Sequence, residues 1–175
     1  MHERPPRDRP IPASWTVRDA RDAYLAENGF TLESYDAKWT PASLLGVRFY
    51  VPNTRVHRHG IMMHDLHHVA TGFGTDPAGE GEISAWELRR GVAALGIYTG
   101  SIVVSGAMLG WLIAPRRTTR AWNDSVRAGH SLFRETSYDG LLDLSVAELR
   151  ARLGIPESGL ATGPRGLHSL APDLG

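Results

Sequence analysis

The sequence has no cysteine, and of its 19 basic residues a single one, Lys38, is lysine. Without cysteine the chain can form no disulfide scaffold, no thiolate nucleophile and no Cys-built zinc or iron–sulfur site. It also has no excess of charge, because 19 Lys and Arg face 19 Asp and Glu. Nucleic-acid binders carry a basic excess or a basic stripe, so nucleic acid is not an expected partner. There is no G-x-S-x-G elbow of the kind serine hydrolases use, and no internal repeat. The first dozen residues hold no apolar stretch of the kind a secretory signal needs, which points to a cytoplasmic location.

What remains is a chain of 175 residues, 42% of them hydrophobic, which fits one compact soluble domain. A chain of this size buries roughly 70% of its unfolded surface and needs no covalent staples. Residues 1–14 are rich in Pro and Arg and poor in apolar side chains, and read as a disordered arm. Residues 157–175 mix Gly, Pro, Ser and Ala without a period and read as a flexible tail. The folded domain is therefore expected over residues 15–156.

Within it the pattern is helical. Residues 17–28 read as a helix stopped by Gly29, and residues 56–71 as one halted by Gly72. Residues 72–81 (GFGTDPAGEG) read as a loop, with a helix restarting over 83–90. Residues 44–51 tolerate β structure, but one short run does not make a sheet. Over residues 117–135, Trp122, Val126 and Phe133 recur at helical spacing, with Gly129 on the same face. Ser145-Val-Ala-Glu148 is a capping box that opens a last helix, closed by Gly154 and Pro156. The expected fold is all-α, with about six or seven helices.

Residues 91–114 run for 24 positions without a charge. As one helix this stretch would measure about 36 Å, enough to span a bilayer. It is punctuated by glycines, and Gly96 to Gly100 and Gly106 to Gly110 are small-x-x-x-small spacings, which permit close helix contact in membranes and soluble cores alike. Arg lies at both ends without an inside bias. Three readings stand: a membrane span; a central helix, or two helices broken near residues 99–101, lining an apolar pocket; or a segment partly buried in a membrane surface. The small-residue spacing also permits self-association, with a homodimer the default closed form.

Five of the eight histidines, His57, His59, His64, His67 and His68, fall within twelve positions. On a helix His64 and His68 are one turn apart and Asp65 lies three residues from His68, so all three can converge on one point. Two imidazoles and a carboxylate suit a divalent metal with positions left open. Glu80 can return across the glycine-rich loop as a fourth ligand or as a base. His67 points about 100° away from His68 and reads either as an outer hydrogen-bond donor or as a surface residue. His57 and His59 read as solvent-facing residues in a polar turn. Glu82 reads as a charge favouring the N-terminal end of the next helix. The alternative for the whole motif is a buried polar site whose His and Asp satisfy one another.

His64-Asp65-Leu66-His67-His68, eleven further residues and Glu80 resemble the His-Asp-x-x-His-x(11)-Glu signature of a ubiquinone (coenzyme Q) biosynthesis family, the fourth named component of that pathway. Thr71-Gly72, Gly79-Glu80, Ala121-Trp122 through Gly129, and residues 142–155 (LDLSVAELRARLGI) also resemble it, so the likeness extends over roughly residues 39–156. The resemblance implies an all-α protein at the inner face of a membrane, working with biosynthetic partner proteins and a prenylated aromatic ligand. It further implies a divalent metal held by His64, Asp65, His68 and Glu80, and two His with two carboxylates suit Zn first, with Fe, Mn or Mg as alternatives. The implied reaction is oxidative removal of the C1 carboxyl group of a quinone precursor at those four residues.

Two stretches depart from the family. Residues 40–46 (TPASLLG) match its Pro-x-Gly-Ser-Leu-Gly stretch only loosely, and residues 58–63 replace its charged lead-in. These changes leave the metal motif intact and open the substrate to a related aromatic metabolite. A non-catalytic lipid-binding scaffold is the second reading. A third is a His-Asp phosphohydrolase, for which His57 or His59 and Asp124 or Asp139 would be the further ligands.

Overall fold

A computed structural model of the chain describes residues 11–44, 47–127 and 129–162. Through these residues run α1 (Val17–Asn28), a hairpin of β1 (Trp39–Leu44) and β2 (Val47–Pro52), α2 (Arg55–Thr71), α3 (Pro77–Arg90), α4 (Gly96–Ile113), α5 (Pro115–Asp124), α6 (Tyr138–Leu142) and α7 (Val146–Arg152). The expected single all-α domain is the one observed, with one antiparallel hairpin added. The short run read as unable to make a sheet does pair. Trp39 lies opposite Pro52 and Leu44 opposite Val47.

Local chemistry sets most helix ends. Thr16 caps α1 by accepting from the Asp19 N–H, and Gly29 closes it in the left-handed conformation at φ 73°, where a Cβ is disfavoured. Thr54 caps α2, and Gly72 closes it at φ 80°. The capping box of α7 is formed in both directions between Ser145 and Glu148. α2 and α3 supply the centre of the core, where Met63, Leu66, Ala70, Ile83 and Trp86 are fully buried beside Leu149 of α7.

Four expectations change. The glycine-rich stretch is a loop only as far as Asp76. Asp76 caps α3 through its Oδ1, with Pro77 in the first turn, so Glu80 stands on a helix rather than on a loop. Gly79 and Gly81 are tolerated in that helix because space requires them: a Cβ at Gly79 would collide with the Gly74 carbonyl, and one at Gly81 with the backbone of Gly110. The helix expected over 117–135 stops at Asp124. A 3-10 turn follows, Gly129 takes φ 82°, and Phe133 is buried from a separate 3-10 turn while Val126 is exposed.

The packed body also extends past the expected arm and tail boundaries. Ile11 is buried, and the Ala13 carbonyl accepts from the Ala147 N–H. Past α7, the N–H groups of Leu160 and Ala161 donate to the Thr71 carbonyl. Arg150, itself buried, joins these regions by donating to the carbonyls of Ala70, Ile11 and Glu157. The remainder of the expected arm, residues 1–10, and of the tail, residues 163–175, lies outside the described residues.

The uncharged run forms one unbroken helix, α4, preceded by a 3-10 turn at Ala93–Leu95. The stretch Ala93–Ile113 is long and apolar enough to cross a membrane by length and composition, and 33% of its most apolar window is buried. Its packing reverses the usual pattern. Thr99, Gly100, Val103, Ala107 and Gly110 face inward, while Ile97 is 94% and Leu112 80% exposed. The second small-residue spacing seats α4 on α3: Gly106 lies against Ser84, and Gly110 meets Gly81 backbone to backbone.

Candidate metal centre

The site lies where the middle of α2 faces the first half of α3. His64 and His68, one turn apart, turn their rings edge to face with centroids 4.6 Å apart and bring their Nε2 atoms to 3.1 Å. Glu80 reaches across from α3, one carboxylate oxygen 3.4 Å from His64 Nε2 and the other 3.6 Å from His68 Nε2. One ligand atom from each of the three residues falls within 4.8 Å of the others.

The partners on the far side of each ring decide which nitrogen faces inward. His68 Nδ1 lies 3.0 Å from the Phe73 carbonyl, which can only accept, so Nδ1 carries the hydrogen and Nε2 keeps its lone pair. His64 Nδ1 lies 2.9 Å from Glu87 Oε1 and donates to it in the same sense. Two imidazole lone pairs and a carboxylate thus converge on one point. Two nitrogens bound to one tetrahedral zinc at about 2.0–2.1 Å lie about 3.3 Å apart, close to the 3.1 Å found here. The donor set therefore fits a divalent metal with open positions on the solvent side, where the Glu80 side chain is 42% exposed.

The electrostatics favour a positive charge at this point. Burial disfavours ionisation of Glu80, but His68 and His64 outweigh it and hold the carboxyl well below the usual carboxylate range. Burial likewise opposes charge on His64, and Glu87 and Glu80 overcome it, raising its pKa well above the ordinary value. Carboxylates that draw a proton to this point would also hold a divalent cation.

Of the four expected ligands, the structure brings together three. Asp65 stays outside the group: Tyr35 Oη donates to its Oδ2 at 2.5 Å, and burial pushes its pKa up despite that bond. It lies at the start of a polar chain, since Arg21 Nη1 donates to Tyr138 Oη at 2.8 Å and Tyr138 in turn interacts with Tyr35. Tyr24 stacks on the His68 ring at 5.4 Å and narrows the site on the α1 side.

His57 and His59 are placed differently from their polar-turn reading. His57 is buried within α2 against Tyr98, and His59 is half-buried with Nε2 3.3 Å from the Phe133 carbonyl. His67 is fully buried and is an outer hydrogen-bond donor, with Nδ1 2.7 Å from Glu87 Oε1. Glu82 makes a two-pronged pair with Arg117 of α5, the shorter contact being 2.7 Å.

Glu87 was not singled out from the sequence. It is fully buried, and although burial works against its charge, His64 and His67 hold its pKa down to about 2. The available signal was its position seven residues after Glu80, which puts the two carboxylates on one face of a helix. No protein-family model, no curated protein and no solved structure matches the chain.

Proposed function

We propose that the chain binds a divalent metal through His64, His68 and Glu80. Like the ubiquinone-biosynthesis family its motif resembles, it would act on a prenylated or otherwise apolar aromatic carboxylic acid in an oxidative loss of the C1 carboxyl, with dioxygen as the oxidant: the ring–carboxyl bond breaks to release carbon dioxide, a ring–hydroxyl bond forms, and dioxygen with water is reduced to hydrogen peroxide. The observation that carries the metal reading is the convergence of two imidazole lone pairs and Glu80 on one solvent-facing point; the substrate and reaction rest on the resemblance of the motif. When bound, the metal would supply a Lewis acid beside the ring to be decarboxylated. Glu80, the most exposed of the three, would face an entering ligand. The buried Asp65, with its raised pKa and its tyrosine partner, is placed to hold or release a proton nearby.

The exposed apolar face of α4 supports an apolar ligand. Gly106 places α4 against Ser84 and close to the Glu80 carbonyl, so the outward Ile97, Val104, Met108 and Leu112 lie on a helix bordering the site. A contiguous exposed apolar face of this kind marks contact with a hydrophobic ligand, partner or membrane surface. The same face supports the second reading, a non-catalytic carrier that presents a prenylated ligand to partner enzymes.

Purified protein loaded with zinc or ferrous iron is expected to bind one metal per chain and, under air, to convert a carboxylated prenyl-phenol. His68→Ala should abolish both. Turnover that continues unchanged in protein stripped of metal overturns the enzymatic reading. Lipid binding that persists in His68→Ala, with no turnover by any form, supports the carrier.

A further inference from the structure

We infer that Glu87 is the positioning residue of the metal centre: its buried carboxylate dictates that His64 offers Nε2, and not Nδ1, to the cation. This rests on the metal-binding reading above. A single oxygen, Oε1, accepts from His64 Nδ1 at 2.9 Å and from His67 Nδ1 at 2.7 Å. The second of these bonds is itself fixed from behind. The Leu132 N–H donates to His67 Nε2 at 2.9 Å, so that nitrogen must be the acceptor and Nδ1 must carry the hydrogen.

His67 cannot turn to escape this arrangement. The rings of Trp86 and Phe133 meet it edge-on, with centroids 5.1 and 5.0 Å away. Glu87 is thus anchored by a locked imidazole on one side and orients His64 from the other. Its second oxygen, Oε2, is buried and makes no hydrogen bond among the described residues. The two imidazoles on Oε1 therefore carry the whole compensation of this buried charge, and a cation on His64 would add to it. Metal-ligating histidines are commonly held by a carboxylate in this way, and removing that carboxylate typically costs 10–100-fold in metal affinity. His67, at the second variable position of the His-Asp-x-x-His motif, anchors the anchor.

The test is zinc binding by the full chain, measured with zinc alone against a chelating dye, in wild type and Glu87→Gln. The substitution preserves shape and one acceptor oxygen but removes the charge. Zinc affinity is expected to fall about 10–100-fold while one site per chain remains. Long-range 15N spectra of the zinc-loaded wild type should show His64 bound through Nε2, with its Nδ1 hydrogen slow to exchange. Equal affinity in wild type and variant overturns the assignment alone. If the variant does not fold, the wild-type spectrum decides, and zinc on His64 Nδ1 overturns the assignment. A wild-type chain that takes up no zinc overturns the metal reading and this assignment with it.

Discussion

His64 and His68 face each other through Nε2 atoms 3.1 Å apart, and each ring is held from behind by an acceptor on a different part of the chain, Glu87 of α3 for one and the Phe73 carbonyl for the other. Neither ring can rotate without breaking one of these hydrogen bonds. The site is therefore pre-formed by the packing of α2 on α3, and α3 owes its position to α4. At the crossing of α3 and α4, Gly81 and Gly110 touch backbone to backbone.

That crossing gives the first prediction. A Cβ at Gly110 would come to 2.5 Å from the Gly81 Cα and 2.9 Å from Thr118 Oγ1. The first obstacle is backbone, so only separation of the helices can relieve the clash. Gly110→Ala should cost about 3 kcal/mol, the upper end of ordinary overpacking, and lower Tm by roughly 6–12 °C. Thermal unfolding followed by circular dichroism measures it, and an unchanged Tm would show that α4 is not seated as described.

How much could be read without the structure depended on where each cause lay. Thr16, Gly29, Gly72 and the Ser145–Glu148 box act within a turn of their own helices, so the ends of α1, α2 and α7 were legible. Gly79 and Gly81 looked like loop residues because the reason for each lies outside the helix itself, in the Gly74 carbonyl of the preceding loop and in the Gly110 backbone of α4. The helix start at Asp76-Pro77 was therefore missed. The pairing of His64 with His68 followed from helical spacing alone. Glu87 did not, because its histidine partners lie 20 and 23 residues away on another helix. Asp65 had the spacing of a ligand but faces Tyr35, a partner that no local pattern revealed.

Arg150 tests the revised ends of the folded body. It is 1% exposed and donates to the carbonyls of Ala70, Ile11 and Glu157 at 2.9, 3.2 and 2.5 Å. Arg150→Leu leaves these acceptors without that donor and should cost about 3 kcal/mol. Hydrogen exchange should localise the damage. The amides of Ala147, Leu160 and Ala161, which bond to Ala13 and Thr71, lose protection first. Uniform loss across the whole chain would show that Arg150 does not tie these ends specifically.

His57 introduces a pH dependence away from the His64–His68–Glu80 cluster. Burial lowers its pKa, and neither ring nitrogen makes a hydrogen bond among the described residues. The unfolded chain, with a histidine pKa of about 6.5, therefore binds a proton before the folded chain does. Stability from this group is complete above about pH 6.5 and declines as pH falls toward the lower folded value. His57→Phe keeps a ring against Tyr98 and removes the proton site. Urea midpoints from pH 8 to pH 5 should fall more steeply for wild type than for the variant, and parallel curves would refute the assignment.

Asp65 separates the two roles open to a carboxylate beside this site. As a ligand, its loss should remove metal as completely as His68→Ala does. The geometry instead gives it to Tyr35, with His64, His68 and Glu80 forming the candidate ligand group. Asp65→Asn retains an acceptor for the tyrosine hydroxyl and loses only the charge and the titrating proton. One zinc per chain should therefore remain, with affinity reduced about tenfold, the lower end of the loss expected for a group outside the ligand shell. Turnover of the carboxylated prenyl-phenol should fall much further if Asp65 handles a proton in the reaction. Tyr35→Phe, which leaves the carboxylate in place but removes its donor, should retain the metal equally well. Loss of stoichiometric zinc in Asp65→Asn would return this residue to the ligand set and show that its side chain leaves Tyr35 when the metal binds.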